Sequence, residues 1–261
     1  MKTPKIILCY FVAALVLSAC SEKSKWELSW SDDFEYTGAP DEAAWDYEIG
    51  FIRNKELQYY TSQMQNVRVE DGRCVIVARL EDGDSITSAS INTRHKKEFL
   101  YGRMEVRAKI PSALGTWPAI WMLGVNRDET GWPACGEIDI MEHVGYNPDV
   151  VHANIHTKAY NHTIGTGKGD RIEVTDPWAD FHIYALEWAE DRMDFFFDDS
   201  IYFSYTNDMT GNNDTWPFDK PHYLLLNLAY GGGWGGRQGV DTSLLPVRFE
   251  IDYVRYYTKS E

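Results

Sequence analysis

Apolar and polar residues alternate along most of the chain in short runs closed by Gly, Pro, Asn or Asp, a period of two that predicts strands. Arg73 to Leu80, Gly102 to Ile110, Ala119 to Gly124, Val151 to Thr157, His182 to Trp188, Met193 to Phe197, His222 to Ala229 and Arg248 to Tyr257 all read this way. Few stretches hold a helical period; the best are Pro40 to Trp45 and the loop around Pro177 to Asp180. Eight or more strands with turns between them imply an all-β fold, a curved two-sheet sandwich or jelly roll. On the concave face of such a sheet, alternate residues of neighbouring strands would form a cleft. The aromatic content, 14% with ten tryptophans and sixteen tyrosines, suits the same class.

One predicted strand breaks the pattern. In Gly136-Glu137-Ile138-Asp139-Ile140-Met141-Glu142-His143, three carboxylates lie among large apolar side chains. Strand alternation puts Glu137 and Asp139 on one face and Glu142 on the other. One extra residue, a β-bulge at Ile140-Met141, returns Glu142 to the face of the first two. Three acids crowded on one surface repel each other, which raises at least one pKa and sets a protonated acid beside an ionised carboxylate. That is the equipment for cleaving a glycosidic bond. A bland alternative is an acidic, solvent-facing strand or a cation site, but interleaved Ile138, Ile140 and Met141 point to one covered face and one functional face. The geometry is demanding. Glu137 and Glu142 stand about 13 Å apart along a bulged strand, whereas retaining hydrolysis needs carboxylates about 5.5 Å apart, so twist and converging side chains must close the gap.

Other segments place polar or aromatic residues on a single face. Trp117, Ala119, Trp121 and Leu123 alternate out of Gly115 to Leu123, and two indoles about 13 Å apart could stack on successive pyranose rings or pack in the core. His152, Asn154 and His156 share a face opposite Val151, Ala153 and Ile155, and such a polar ladder is costly inside a core unless it is hydrogen-bonded. His156 is placed to meet a catalytic carboxylate, while His152 reads as structural. A zinc site from these two histidines lacks a third ligand. The run Leu224 to Leu228 carries one Asn, Asn227, into Gly231 to Gly236, whose single aromatic residue, Trp234, reads as a mobile stacking platform. Without a phosphate-loop lysine or helix start, these glycines make no nucleotide site. Arg103, Glu105 and Arg107 alternate with Met104, Val106 and Ala108 and read as a solvated or paired face.

The first residues read as an export signal. Lys2 and Lys5 precede the apolar run Ile6 to Leu17, which is too short for a comfortable membrane span, and Leu17-Ser18-Ala19-Cys20 resembles a bacterial lipoprotein cleavage box. The expectation is a signal at residues 1–19, a lipidated Cys20 with a polar tether to residue 25, and one catalytic domain over residues 26–261. A chain so processed would be exported and membrane-tethered, at the outer membrane, the cell surface or facing the periplasm. Cys74 and Cys135 could pair or remain thiols. The formal net charge is −15, and loss of Lys2 and Lys5 with the signal makes it −17. That balance excludes nucleic acid as a partner and favours a neutral polysaccharide over a sulfated one.

From about Trp26 to Tyr257 the chain resembles glycoside hydrolase family 16. The acid signature is the most specific part, in the variant with an extra residue, Met141, before the last Glu. The resemblance implies that Glu137 is the nucleophile, Asp139 assists and Glu142 is the acid/base, in a double displacement that retains configuration. It implies sugar contacts from Asn54 in Asn54-Lys55-Glu56-Leu57-Gln58-Tyr59-Tyr60-Thr61, from Arg94 before the Gly102 strand, and from Trp117, Trp121, Trp132, His156 and Trp234. It also implies a structural calcium held by Glu35, Asp252 and a main-chain oxygen near Gly72, with no cofactor for catalysis. Within the family, the Met141 insertion, the Trp-rich segment and His-Ala-Asn-Ile-His-Thr are similar to the laminarinase branch, whose substrates are β-1,3-glucans and mixed-linkage β-1,3-1,4-glucans, and the chain is expected to be a monomer. The rival readings are a galactanase of the same fold, for agar- or carrageenan-type polymers, and a lectin-like glucan-binding lipoprotein without activity.

Overall fold

The structure, a computed structural model, describes residues 25–260, so the predicted signal and the lipid-bearing Cys20 lie outside the described residues. The strands in chain order are β1 Trp26–Asp32, β2 Asp46–Tyr47, β3 Gln58–Tyr60, β4 Val67–Glu70, β5 Arg73–Leu80 and β6 Ile86–Ser88. They continue as β7 Ser90–Asn92, β8 Gly102–Lys109, β9 Thr116–Gly124, β10 Glu137–His143, β11 Val150–His156 and β12 Lys168–Glu173. The last are β13 His182–Trp188, β14 Arg192–Phe197, β15 Ser200–Thr206, β16 His222–Tyr230 and β17 Val247–Lys259. Each run predicted as a strand is one, with ends moved by a few residues.

Ten strands make the first sheet, in the order β15-β14-β13-β8-β17-β5-β6-β3, with β1 added to β17 and β4 to β5. Seven make the second, ordered β12-β11-β10-β9-β16-β7-β2. Val106, Ala108, Leu186, Phe195 and Ile251 from the first sheet pack in one cluster with Ile120, Met122, Ile138, Ile155, Leu224 and Leu226 from the second. The sandwich therefore holds its main core between the sheets, and the other face of the second sheet is left for function. Burial of these aliphatic side chains, about 25 cal/mol per Å² of apolar surface, fixes which face that is.

The two expected helices do not form. Residues 40–45 make a single turn, closed by Trp45 N–H donating to Asp41 O at 2.8 Å, and residues 177–180 are turn and bend. Proline and aspartate start turns as readily as helices, and a run of four to six residues is too short to repay helix nucleation. Among the described residues the helices are single turns, α1 Arg127–Thr130 and α2 Gly232–Gly235, with 3-10 turns at His162–Ile164 and Thr242–Leu244. On the outside of the first sheet the charged stripe is paired as expected: Arg103 meets Glu105 at 2.7 Å and Glu187 at 3.0 Å, and Arg107 meets Asp252 at 2.6 Å. Cys74 and Cys135 are both buried free thiols, one in the main core and one in a small apolar cluster with Trp121 and Tyr223.

Candidate active site

Strand β10 lies between β9 and β11, and its register slips once. Asp139 faces Trp121 on β9, but the next pairs are Met141 with Ile120 and Glu142 with Ala119, so the bulge falls at Ile140-Met141. Against β11 the same slip separates the pair Asp139–Asn154 from Glu142–His152. Its cause is visible in the packing. Ile140 and Met141 are both fully buried in the core, and two consecutive apolar residues can reach the same side only if one is extruded from the ladder. Glu137, Asp139 and Glu142 are thereby brought to the face away from the core. Gly136 leads into the strand at φ +84°, where a Cβ would come within 3.0 Å of the His222 ring and Pro217, so a side chain is excluded immediately before Glu137.

The carboxylates converge more than their backbone positions do. Asn154 is the register partner of Asp139, yet its amide Nδ2 donates to Glu142 Oε2 at 2.8 Å. His156 is the partner of Glu137, yet its Nε2 lies 3.3 Å from Asp139 Oδ2 and 3.7 Å from Glu137 Oε1. Glu142 thus leans back over the Asp139 row, and Asp139 is drawn toward the Glu137 row. Trp117 Nε1 donates to Glu142 Oε1 at 3.0 Å, and Trp132 Nε1 to Glu137 Oε2 at 2.8 Å.

Burial sets the protonation. Asp139 is 3% exposed and its Oδ2 has no hydrogen-bond donor; burial first, then repulsion from Glu142, raises its pKa well above the carboxylate range. Glu137 is pushed up to about 8 by burial and by the neighbouring Asp139 and Glu142 charges, against the pull of His156 and the Trp132 N–H. Glu142 is raised by burial and partly restored by His156 and its two N–H donors. Three such groups do not ionise together. With a proton on Asp139 donated to Glu137, the repulsion acting on Glu137 disappears, which makes Glu137 the group that ionises. Glu142 has two lone pairs taken by Trp117 and Asn154 and can carry a proton on a free one. The arrangement can therefore supply an ionised nucleophile and a separate acid.

A stability effect follows with a definite sign. The folded pKa of Asp139 is raised, so full stability holds below its unfolded pKa and is lost as pH climbs through the folded value. Asp139→Asn should raise Tm at pH 7 by roughly 3 °C, about 1 kcal/mol for relieving one unfavourable site, and by nothing measurable at pH 4. Calorimetric scans of both proteins at the two pH values check this, and equal gains at both would show that burial of charge is not the cause.

Aromatic residues border the acids at both ends. Trp234 meets Trp117 edge-on at 5.3 Å and His152 at 5.0 Å, beyond Glu142. Trp132, 37% exposed, lies 5.9 Å from His156 and 5.4 Å from His162, on the Glu137 side. The loop of Trp234 is tied down, contrary to the expectation of a mobile platform: it forms α2, and Gly233 N–H donates to Asn54 O at 2.9 Å. Asn54 is itself exposed at φ +56°, with its amide on Glu56 at 3.1 Å. Trp121 is buried and donates Nε1 to Asn227 Oδ1 at 2.7 Å, so it floors the site from within. Arg94 sits over Tyr223 at 5.7 Å and is paired with Asp128.

Sequence reasoning passed over the network behind Trp121. Asn227 Nδ2 donates to Tyr60 Oη at 3.1 Å, the Tyr60 hydroxyl donates to Glu56 Oε2 at 3.2 Å, and Gln58 Nε2 donates to the same oxygen at 2.7 Å. Arg53, paired with Glu48, covers the Trp121 ring at 4.9 Å. The available signals were the lone Asn in an apolar strand and the alternation of Glu56, Gln58 and Tyr60. Asn154 and His162 also went unselected as ligands. The residues predicted to hold calcium lie on or beside the first sheet: Glu35 is exposed in the loop after β1, Gly72 is in the β4–β5 turn, and Asp252 of β17 is neutralised by Arg107 at 2.6 Å, which an ion would have to displace.

The chain is similar to several known proteins. The model of glycosyl hydrolases family 16 matches residues 54–255. A β-glucanase of Rhodothermus marinus is 50% identical over 244 residues, covering 89% of this chain and 85% of the relative. The X-ray structure of the laminarinase from Rhodothermus marinus superposes with a TM-score of 0.87 at 49% identity, covering 90% of this chain and 98% of that one. A variant of SCLam, a non-specific endo-β-1,3(4)-glucanase, superposes with a TM-score of 0.87 at 47% identity over 91% of this chain and 96% of its own. That variant was co-crystallized with 1,3-β-D-cellotriosyl-glucose and presents a 1,3-β-D-cellobiosyl-glucose at its active site.

Proposed function

The chain belongs to glycosyl hydrolase family 16, and from that premise we propose how its acid cluster performs the endo-β-1,3(4)-glucanase reaction of the relatives it matches. The carrying observation is the bulge at Ile140-Met141, which puts Glu137, Asp139 and Glu142 on one face with side chains leaning together. Glu137 attacks the anomeric carbon of a β-linked glucosyl unit. Glu142 gives its proton to the departing glycosidic oxygen, so the C–O bond breaks and a glycosyl-enzyme forms through the Glu137 carboxylate. Glu142, now a carboxylate, takes a proton from water as the water oxygen attacks the same carbon and expels Glu137. Asp139 lends a hydrogen bond to Glu137 while it is charged and has it returned between steps. Water and carboxylates suffice, with no cofactor.

Trp234, Trp117 and Trp132 offer ring faces to pyranose C–H bonds on either side of the acids. A reducing-sugar assay should find activity on laminarin and mixed-linkage barley glucan and none on agarose or carrageenan, and proton NMR should show the β-anomer first. First appearance of the α-anomer, or cleavage of the galactans alone, would reject the reading. A lectin-like binder is not favoured, because binding has no use for three mutually repelling acids gathered on one face, two of them buried.

Trp234→Ala should raise KM for laminarin oligosaccharides roughly fivefold, about 1 kcal/mol for one stacking face, with kcat little changed; an unaltered KM would remove Trp234 from sugar binding. For the N-terminal box, the proposal is lipidation at Cys20 and a membrane tether. Cells expressing Cys20→Ala should release the protein into the soluble fraction and incorporate no labelled palmitate into it, whereas unchanged membrane association would refute the anchor.

A further inference from the structure

The cluster that holds the acids also has the dimensions of a transition-metal site. Glu137, Asp139 and His156 each present one ligand atom, and the three lie within 4.8 Å of one another. His156 Nε2 is 3.3 Å from Asp139 Oδ2 and 3.7 Å from Glu137 Oε1. Zinc bonds of about 2.0 to 2.2 Å at tetrahedral angles place neighbouring ligand atoms about 3.3 to 3.6 Å apart, so these edges need little adjustment. The ligand atoms can be freed for a metal. The Trp132 N–H occupies Glu137 Oε2 rather than Oε1, Asp139 Oδ2 is buried without a donor, and the proton that Asp139 shares with Glu137 is released to the buffer as the ion binds. The tripod stands on adjacent strands, with Glu137 and Asp139 two residues apart on β10 and His156 directly across on β11. The histidine pair suggested by spacing is not the site, since His152 is turned onto Trp234.

We propose that a zinc ion, or a divalent ion of similar softness, binds Glu137 Oε1, Asp139 Oδ2 and His156 Nε2 with water in the fourth position, and that this switches the enzyme off reversibly. Imidazole with two carboxylates suits zinc or copper, whereas calcium and magnesium require more oxygen ligands than the tripod supplies. An ion there would occupy the nucleophile and fill the space the anomeric carbon must enter, so metal and glucan exclude each other. The binding half of the proposal stands on the ligand geometry; the inhibition half rests on the glucanase reading.

The test titrates zinc chloride into the purified protein by calorimetry in a non-chelating buffer, with laminarin hydrolysis measured in parallel. Expected are one bound zinc in the micromolar range, inhibition competitive with laminarihexaose at the same midpoint, recovery with EDTA, and no effect of calcium or magnesium. Asp139→Asn and His156→Gln should each weaken zinc binding roughly tenfold or more, with circular dichroism and Tm showing that both remain folded. Zinc binding that is absent, unchanged in both folded variants, or undisturbed by saturating oligosaccharide would overturn the proposal. A protein that binds zinc here but never cleaves laminarin would keep the metal site and lose the glucanase reading.

Discussion

Glu137→Ala should lower kcat on laminarin by at least roughly 10⁴-fold, the scale on which removal of a covalent nucleophile is felt, with oligosaccharide binding nearly intact. Binding should survive because the flanking indoles are untouched: Trp132 loses its acceptor on Glu137, but the Trp117 and Trp234 pair and the Asn227 support of Trp121 do not involve Glu137. The truncation also opens a space beside Asp139 and His156 large enough for a small anion. Azide entering there meets the anomeric carbon from the side that Glu137 used, while Glu142 still protonates the leaving oxygen. The C–O bond breaks, a C–N bond forms with inversion, and the product is an α-glucosyl azide. Activity within tenfold of the parent, or a β-configured azide from this variant, would take the nucleophile's role from Glu137.

Much of this site could be read before any coordinates, for identifiable reasons. Side-chain alternation has a period of two, so three acids spaced two and three apart demand one extra residue, and only Ile140-Met141 offers two neighbouring apolar side chains for the core. His156 was legible for the same reason, standing in a ladder of polar residues whose intervening partners are aliphatic. What alternation does not carry is pairing between distant segments. Glu56, Gln58 and Tyr60 reach Asn227 across 167 residues of sequence, and nothing local marks Arg53 as the cover of Trp121. The loop around Trp234 was misjudged on composition. Five glycines look permissive, but here positive φ at Gly231 and Gly232 lets the turn press against Leu57 and Asn54, where a Cβ would meet atoms at 2.7 and 3.0 Å. Glycine in that loop serves close packing as much as freedom. The short helical expectations failed because turn-forming residues satisfy both patterns over so few positions.

Glu142→Ala should separate substrates by their leaving groups, and that separation identifies its role better than loss of activity does. On laminarin, where the departing alkoxide needs a proton, kcat/KM should fall roughly 10³-fold, within the range of general acid catalysis. On a β-laminaribiosyl substrate with a dinitrophenolate leaving group, which departs without a proton, formation of the glycosyl-enzyme should be nearly as fast as in the parent. The second step then becomes limiting, since no base remains to activate water. A burst of dinitrophenolate followed by slow turnover is the expected trace. Azide needs no base and should accelerate this variant too, but it attacks a carbon already inverted once by Glu137, so the product is a β-glucosyl azide, opposite in configuration to that from Glu137→Ala. Both donors to Glu142, Trp117 Nε1 and Asn154 Nδ2, remain in place, which keeps the pocket's shape and confines the change to proton transfer. The pair of variants thus fixes the order of the two acids along the reaction, because exchanging their roles would exchange the two anomers. If the aryl substrate were slowed as much as laminarin, Glu142 would be acting on something other than the leaving-group proton.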